Sequence, residues 1–182
     1  MSKEQQIKAF KRHTLANLCF VRAKAVADFL IDEQPPTHEP LYSPMVTGMV
    51  VTYMRPFVSA HGLGPLPSQF SKFRDKIHGD THAEMIKCRN SIHAHQDLLA
   101  QSQISPECGS TSPVLSITFE PPNSCAIIPR VLELHPDSIP NVAALCMFQQ
   151  SRIADAIETS WEALTDGKTY TAGTYTVGQD FP

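Results

Sequence analysis

Four long stretches of the chain carry apolar residues at helical spacing, and proline-bearing polar runs separate several of them. This periodicity constrains the fold more than composition does, because it calls for amphipathic helices that bury one side against each other. The first stretch predicts a helix from about Lys3 to about Ile31. Ile7, Phe10, Leu18, Val21, Ala25 and Phe29 form its apolar side, and Lys8, Lys11, Arg12, Arg22 and Lys24 lie in part opposite. The run DEQPPTHEP ends it. A second helix is expected to start at Ser43 as N-cap, with Pro44 at the first helical position, and to run through MVTGMVVTYM toward Ala60. Pro56 lies inside that stretch and should kink or break it, since proline lacks the N–H donor.

The third helix is expected from about Ser71 to about Leu99, with Phe73, Ile77, Met85, Ile86, Ile92 and Leu99 as its apolar stripe. The fourth is expected from about Ile139 to Leu164, capped by Ser138 with Pro140 in its first turn. Val142, Leu145, Cys146, Ile153, Ile157, Trp161 and Leu164 recur there at helical spacing. Between these two helices, PVLSITF and AIIPRVLEL flank PPNS and read as short strands. The expected fold is therefore mainly α: an antiparallel helical bundle of about four long helices with a minor β-hairpin excursion. Its organisation is expected to be one domain over residues 1–182, with a loop or hairpin insertion at 101–135 and a C-terminal tail at 165–182.

A chain of 182 residues, 42% apolar and 18% charged, suits one soluble domain with a substantial core. No stretch is long and apolar enough to span a membrane, and the charged MSKEQQIKAFKRH start has no apolar run typical of a secretory signal. A cytoplasmic location without membrane contact is the expectation. Five cysteines, odd in number and without a CxxC pair, argue against a disulfide framework and a thiolate zinc site. Residues 1–95 carry twelve Lys and Arg against eight Asp and Glu, whereas residues 96–182 carry three against ten. Such asymmetry is compatible with a nucleic-acid partner and equally with an ordinary solvated surface.

The chemistry concentrates in Thr81–Asp97, THAEMIKCRNSIHAHQD, where His82, Arg89, Asn90, His93, His95 and Asp97 fall on one predicted helix. A permanent cation and titratable imidazoles are the groups needed to bind and cleave a phosphodiester without a metal. At ~100° per residue, His78, His82, Arg89 and His93 share one stripe, while His95 is rotated from Arg89 by roughly a third of a turn. Arg89 and His95 can therefore address one ligand only if the helix is distorted near Ala94 or if the site is completed across a dimer axis.

The segment RNSIHAHQD, with His82 seven residues before Arg89, resembles the signature of the HEPN superfamily (higher eukaryotes and prokaryotes nucleotide-binding). It is similar to the RNKxxAHxD form of uncharacterised bacterial HEPN-like proteins. His82, Arg89, Asn90, Ala94, His95 and Asp97 fit that pattern; Ser91 replaces its usual Lys, and His93 its usual apolar or aromatic residue. Losing the Lys removes a phosphate-attracting charge. The resemblance implies an all-helical bundle and, in active members, metal-independent RNA cleavage at a homodimer interface. Arg89, Asn90 and His95 are then the catalytic candidates, supported by His82, His93 and Asp97. It also implies RNA or a nucleotide as ligand and, for toxin-like members, an antitoxin protein as partner.

Two other readings stand beside it. In the first, the motif is a polar network that holds helices or subunits together, with Arg89 paired to Glu84 or Asp97 and His82 fixing the third helix against the first, in a non-catalytic nucleotide, RNA or protein-interaction module. In the second, a His-rich metal-binding protein uses the i,i+4 pair His78 and His82 with His93, His95 and Asp97. The chain has no GxGxxG, P-loop or GxSxG motif, no zincin spacing and no di-iron motif, so neither a cofactor nor a metal is expected. Cys88, although beside Arg89, reads as a packed thiol.

Overall fold

The computed structural model describes residues 2–37, 39–58, 62–100, 114–120, 124–130, 134–166, 168 and 176–177; the side chains of 91–100, 114–120 and 124–130 lie outside that description. The protein is mainly helical. Its long helices are α1 (Lys3–Glu33), α2 (Tyr42–Met54), α3 (Lys76–Ala100) and α4 (Ile139–Thr165). Between α3 and α4, strands β1 (Val114–Glu120) and β2 (Ser124–Arg130) pair antiparallel, with Ile117 opposite Ile127. Most of the 165–182 tail lies outside the described residues.

Helix α1 starts where a Ser-x-x-Gln capping box closes: Gln5 N donates to Ser2 Oγ (3.3 Å) and Ser2 N to Gln5 Oε1 (2.9 Å). It runs antiparallel to α4, since Lys3 Nζ donates to the Leu164 carbonyl (3.0 Å) and Phe10 meets Trp161 at 5.6 Å. Its buried stripe is His13, Ala16, Phe20, Ala23, Ala27 and Leu30. This corrects the apolar side expected from the sequence: Leu18, Val21 and Phe29 stay exposed. Ala16, Ala23 and Ala27 lie on the core-facing stripe together with the larger His13, Phe20 and Leu30.

Helix α2 begins one residue before the expected cap. Leu41 is the N-cap without a side-chain hydrogen bond, so Ser43 does not cap and Pro44 falls third. Proline remains tolerable there because the first-turn N–H groups have no intrahelical acceptor. The α-helix stops at Met54 and continues only as a 3₁₀ turn, Arg55–Phe57, instead of reaching toward Ala60. Pro56 cannot supply the next α-helical bond, which accounts for the stop. The connection then turns through Gly62 and Gly64 at φ +71° and +73°, a backbone region that favours glycine.

A second 3₁₀ turn, Ser68–Ser71, precedes α3, which starts at Lys76 instead of Ser71. Asp75 Oδ2 accepts from His78 N (3.0 Å) and so satisfies one of the free donors of the first turn. Ser138, the expected cap of α4, makes no capping bond; its hydroxyl donates to Glu84 Oε1 (3.2 Å) and ties α4 to α3. The four helices share one core, in which Phe20, Met49, Tyr53, Met85, Leu145 and Ile153 are fully buried. Burial of this apolar surface is the main stabilising contribution.

Candidate functional site

The motif helix α3 turns Thr81, His82, Met85 and Cys88 inward. His82 is only 5% exposed, with its ring centroid 4.7 Å from Phe57, 5.0 Å from Phe73 and 5.8 Å from Tyr53. Its Nδ1 lies 2.9 Å from Tyr53 Oη. Burial holds the imidazole below its ordinary pKa and the Tyr53 phenol well above its own, so both groups are neutral at pH 7. The sequence suggested His82 as a tie to the first helix; its partner is instead Tyr53 of α2.

This contact belongs to a wider polar web. Gln149, fully buried on α4, bonds Tyr53 and donates from Nε2 to the Phe70 carbonyl (2.8 Å). Arg152, one turn on, donates to the carbonyls of Phe70 (3.2 Å) and Gln69 and lies over the rings of Phe70, Phe148 and Phe73 at 5.2, 5.3 and 5.8 Å. The web pins the Ser68–Ser71 turn onto α4. Cation–π contact and carbonyl bonding together make Arg152 a structural cation.

Arg89 has a different setting. It is half-buried, and its Nη1 donates to the exposed Asn90 Oδ1 over a long 3.4 Å. Among the described residues no ion pair involves Arg89, and Glu84, offered as its partner, accepts from Ser138 instead. Beyond Asn90 the helix continues without interruption to Ala100, so no distortion occurs near Ala94. The positions of Arg89 and His95 therefore stay a third of a turn apart on one helix, ~120°. The side chains of His93, His95 and Asp97 lie outside the described residues. The structure thus brings Arg89 and Asn90 together and withdraws His82 into the core.

His78 stacks on Phe148 at 4.6 Å, and its Nδ1 is 3.1 Å from Asp75 Oδ2 without the alignment of a hydrogen bond. His78 and His82 are thus engaged separately. Among the described residues no group of three or more His, Cys, Asp or Glu side chains is placed to hold a metal ion. Cys88 is packed inside, its pKa pushed up to about 11 by burial and by the Glu84 charge. Cys146 is pushed to about 12, chiefly by burial.

Two features escaped the sequence reading. The first is a groove of about 650 Å³ between α1 and α4, where His13 Nδ1 lies 2.7 Å from Ser160 Oγ. The Ser160 hydroxyl donates to the Ala156 carbonyl, so its lone pairs are left to accept from an Nδ1–H. That arrangement does not activate the serine as a nucleophile. Burial, then the Arg12 charge, lowers the His13 pKa. The second is a cavity walled by arginines on the outer face of α1. Both join residues distant in sequence, so no local spacing signals them.

Among the described residues no helix is long and apolar enough to cross a membrane. No protein-family model matches the chain, and neither a curated protein nor a solved structure matches it.

Proposed function

We propose that this protein is a HEPN-like, metal-independent endoribonuclease that works as a homodimer, with Arg89, Asn90 and His95 as its catalytic residues. The observation that carries this reading is the placement of Arg89 and Asn90 side by side at the edge of the core, on a helix that runs unbroken past them. A guanidinium in that position is available to an RNA phosphate. Because the helix is regular, the reading requires two copies, with Arg89 of one copy and His95 of the other facing the same phosphate.

The chemistry follows from these groups. His95 of one copy takes the proton of the RNA 2′-hydroxyl as that oxygen attacks phosphorus. The bond to the 5′-oxygen breaks, and the second copy's His95 supplies a proton to the leaving oxygen. Arg89 stabilises the charge that grows on the phosphoryl oxygens, and Asn90 orients one of them. The products are a 2′,3′-cyclic phosphate and a 5′-hydroxyl end. DNA lacks the attacking hydroxyl and is not cut by this route. On the toxin-like version of this reading, an antitoxin protein would cover Arg89 and Asn90.

A second reading, a non-catalytic RNA, nucleotide or protein-binding module, draws support from His82: a motif residue is spent on contacts in the core with Tyr53 and Phe57. The two readings separate in one assay. Purified protein is incubated with a mixed RNA pool in EDTA beside His95→Ala protein. Cleavage by the parent alone is the expected result. Equal silence from both, or equal cleavage by both, overturns the catalytic reading, and retained RNA binding would then favour the binding module.

A further inference from the structure

Between the outer face of α1 and the turn that follows α2 lies a cavity of about 140 Å³. Arg12, Arg22 and Arg55 line it together with Leu15, Leu18 and Leu63, and among the described lining residues none is Asp or Glu. Leu15 and Leu18 remain 49% and 41% exposed, so the apolar part of the wall is open to a ligand. Arg12 Nε is buried without a hydrogen-bond partner.

Arginine stems also cover apolar surface while their charged heads spread into water. Here three of them line one cavity. Cys19, in the same wall, feels the charges of both Arg55 and Arg22, which oppose the upward push of burial on its thiol. Three arginines in a lining with no Asp or Glu among its described residues favour an oxyanion, with which guanidinium groups make paired, charge-assisted bonds. The whole cavity is close in volume to a void able to hold one benzene, which limits the ligand to a small body.

We propose that this cavity binds a small molecule with an oxyanion head, carboxylate or phosphate monoester, on a short apolar body. None of its wall comes from α3, so the site is independent of the ribonuclease reading. Isothermal titration of the full-length chain with hexanoate, hexyl phosphate, inorganic phosphate and hexylamine tests it. At least one hexyl oxyanion should bind saturably at one site, and the tighter of the two identifies the head group. Hexylamine should not bind, and inorganic phosphate should bind at least about tenfold more weakly. Arg22→Ala, at an exposed position, should weaken binding by about tenfold or more. Leu63→Trp, which fills the cavity from the loop, should abolish it, with thermal melts verifying that both variants fold. Absence of saturable binding by either hexyl oxyanion, equal binding of hexylamine or inorganic phosphate, or unchanged binding in both variants overturns the proposal.

Discussion

Two adjoining parts of α3 differ in what surrounds them. From Thr81 to Cys88 the motif helix faces the core, and His82 is enclosed by Tyr53, Phe57 and Phe73. Arg89 is half-buried and Asn90 exposed, and among the described residues the guanidinium's hydrogen bond is the long one to the neighbouring amide. His82 and Arg89 lie seven residues apart on nearly the same face. Arg152 gives the contrast a reference point, because it is a cation tied to two carbonyls and three rings, whereas Arg89 shows only its bond to Asn90 among the described residues.

The largest expected effect lies on the buried side. His82→Ala removes a ring from the aromatic box and leaves the Tyr53 hydroxyl without its partner, a loss of about 3 kcal/mol of stability. Urea unfolding measures it; a loss below about 1 kcal/mol would show that the box closes without the imidazole. An intermediate effect concerns pH. His82 and His13 have folded-state pKa values below the ordinary 6.5, so as pH falls the unfolded chain takes up these protons first. Their contribution is complete above about 6.5, declines as pH drops below that value, and is lost as pH falls through the folded-state values. Tm should therefore fall between about pH 7 and about pH 5, and less steeply in His82→Gln than in the parent. Equal slopes would remove His82 from the cause.

The smallest effect is expected at the edge. Arg89→Ala should change stability by no more than about 0.5 kcal/mol, while RNA cleavage is lost. A loss of about 2 kcal/mol or more would instead assign Arg89 to the structural network, since truncating a paired, desolvated cation carries a cost of that order.

The helices were legible in the sequence because their signals are local. Apolar periodicity marks α1, α3 and α4 to within a few residues at most boundaries, and Pro56 marks the end of α2. The buried face of α1 was not legible. Leu18, Val21 and Phe29 carry the stronger hydrophobic signal, yet the stripe through Ala16, Phe20, Ala23 and Ala27 is the one that is buried. Ser43 and Ser138 illustrate the same limit: both have the chemistry of a cap, yet Ser43 lies inside its helix, and Ser138 holds the N-cap position of α4 without a side-chain capping bond. Of the candidate site, the pairing of Arg89 with Asn90 was readable from adjacency. The fate of His82 was not, because its partner Tyr53 lies 29 residues away on α2.

By itself the sequence determined that the chain is mainly helical, where its prolines interrupt, and which groups able to handle phosphate share a single helix. Tertiary structure alone decided which of those groups the core takes. It also brought His13 to Ser160 across 147 residues and set three arginines around one apolar cavity. The physical reason is the range of the forces involved. Helical spacing and proline sterics act within a few residues, whereas burial, desolvation and hydrogen-bond partnership depend on how closely separate helices approach one another.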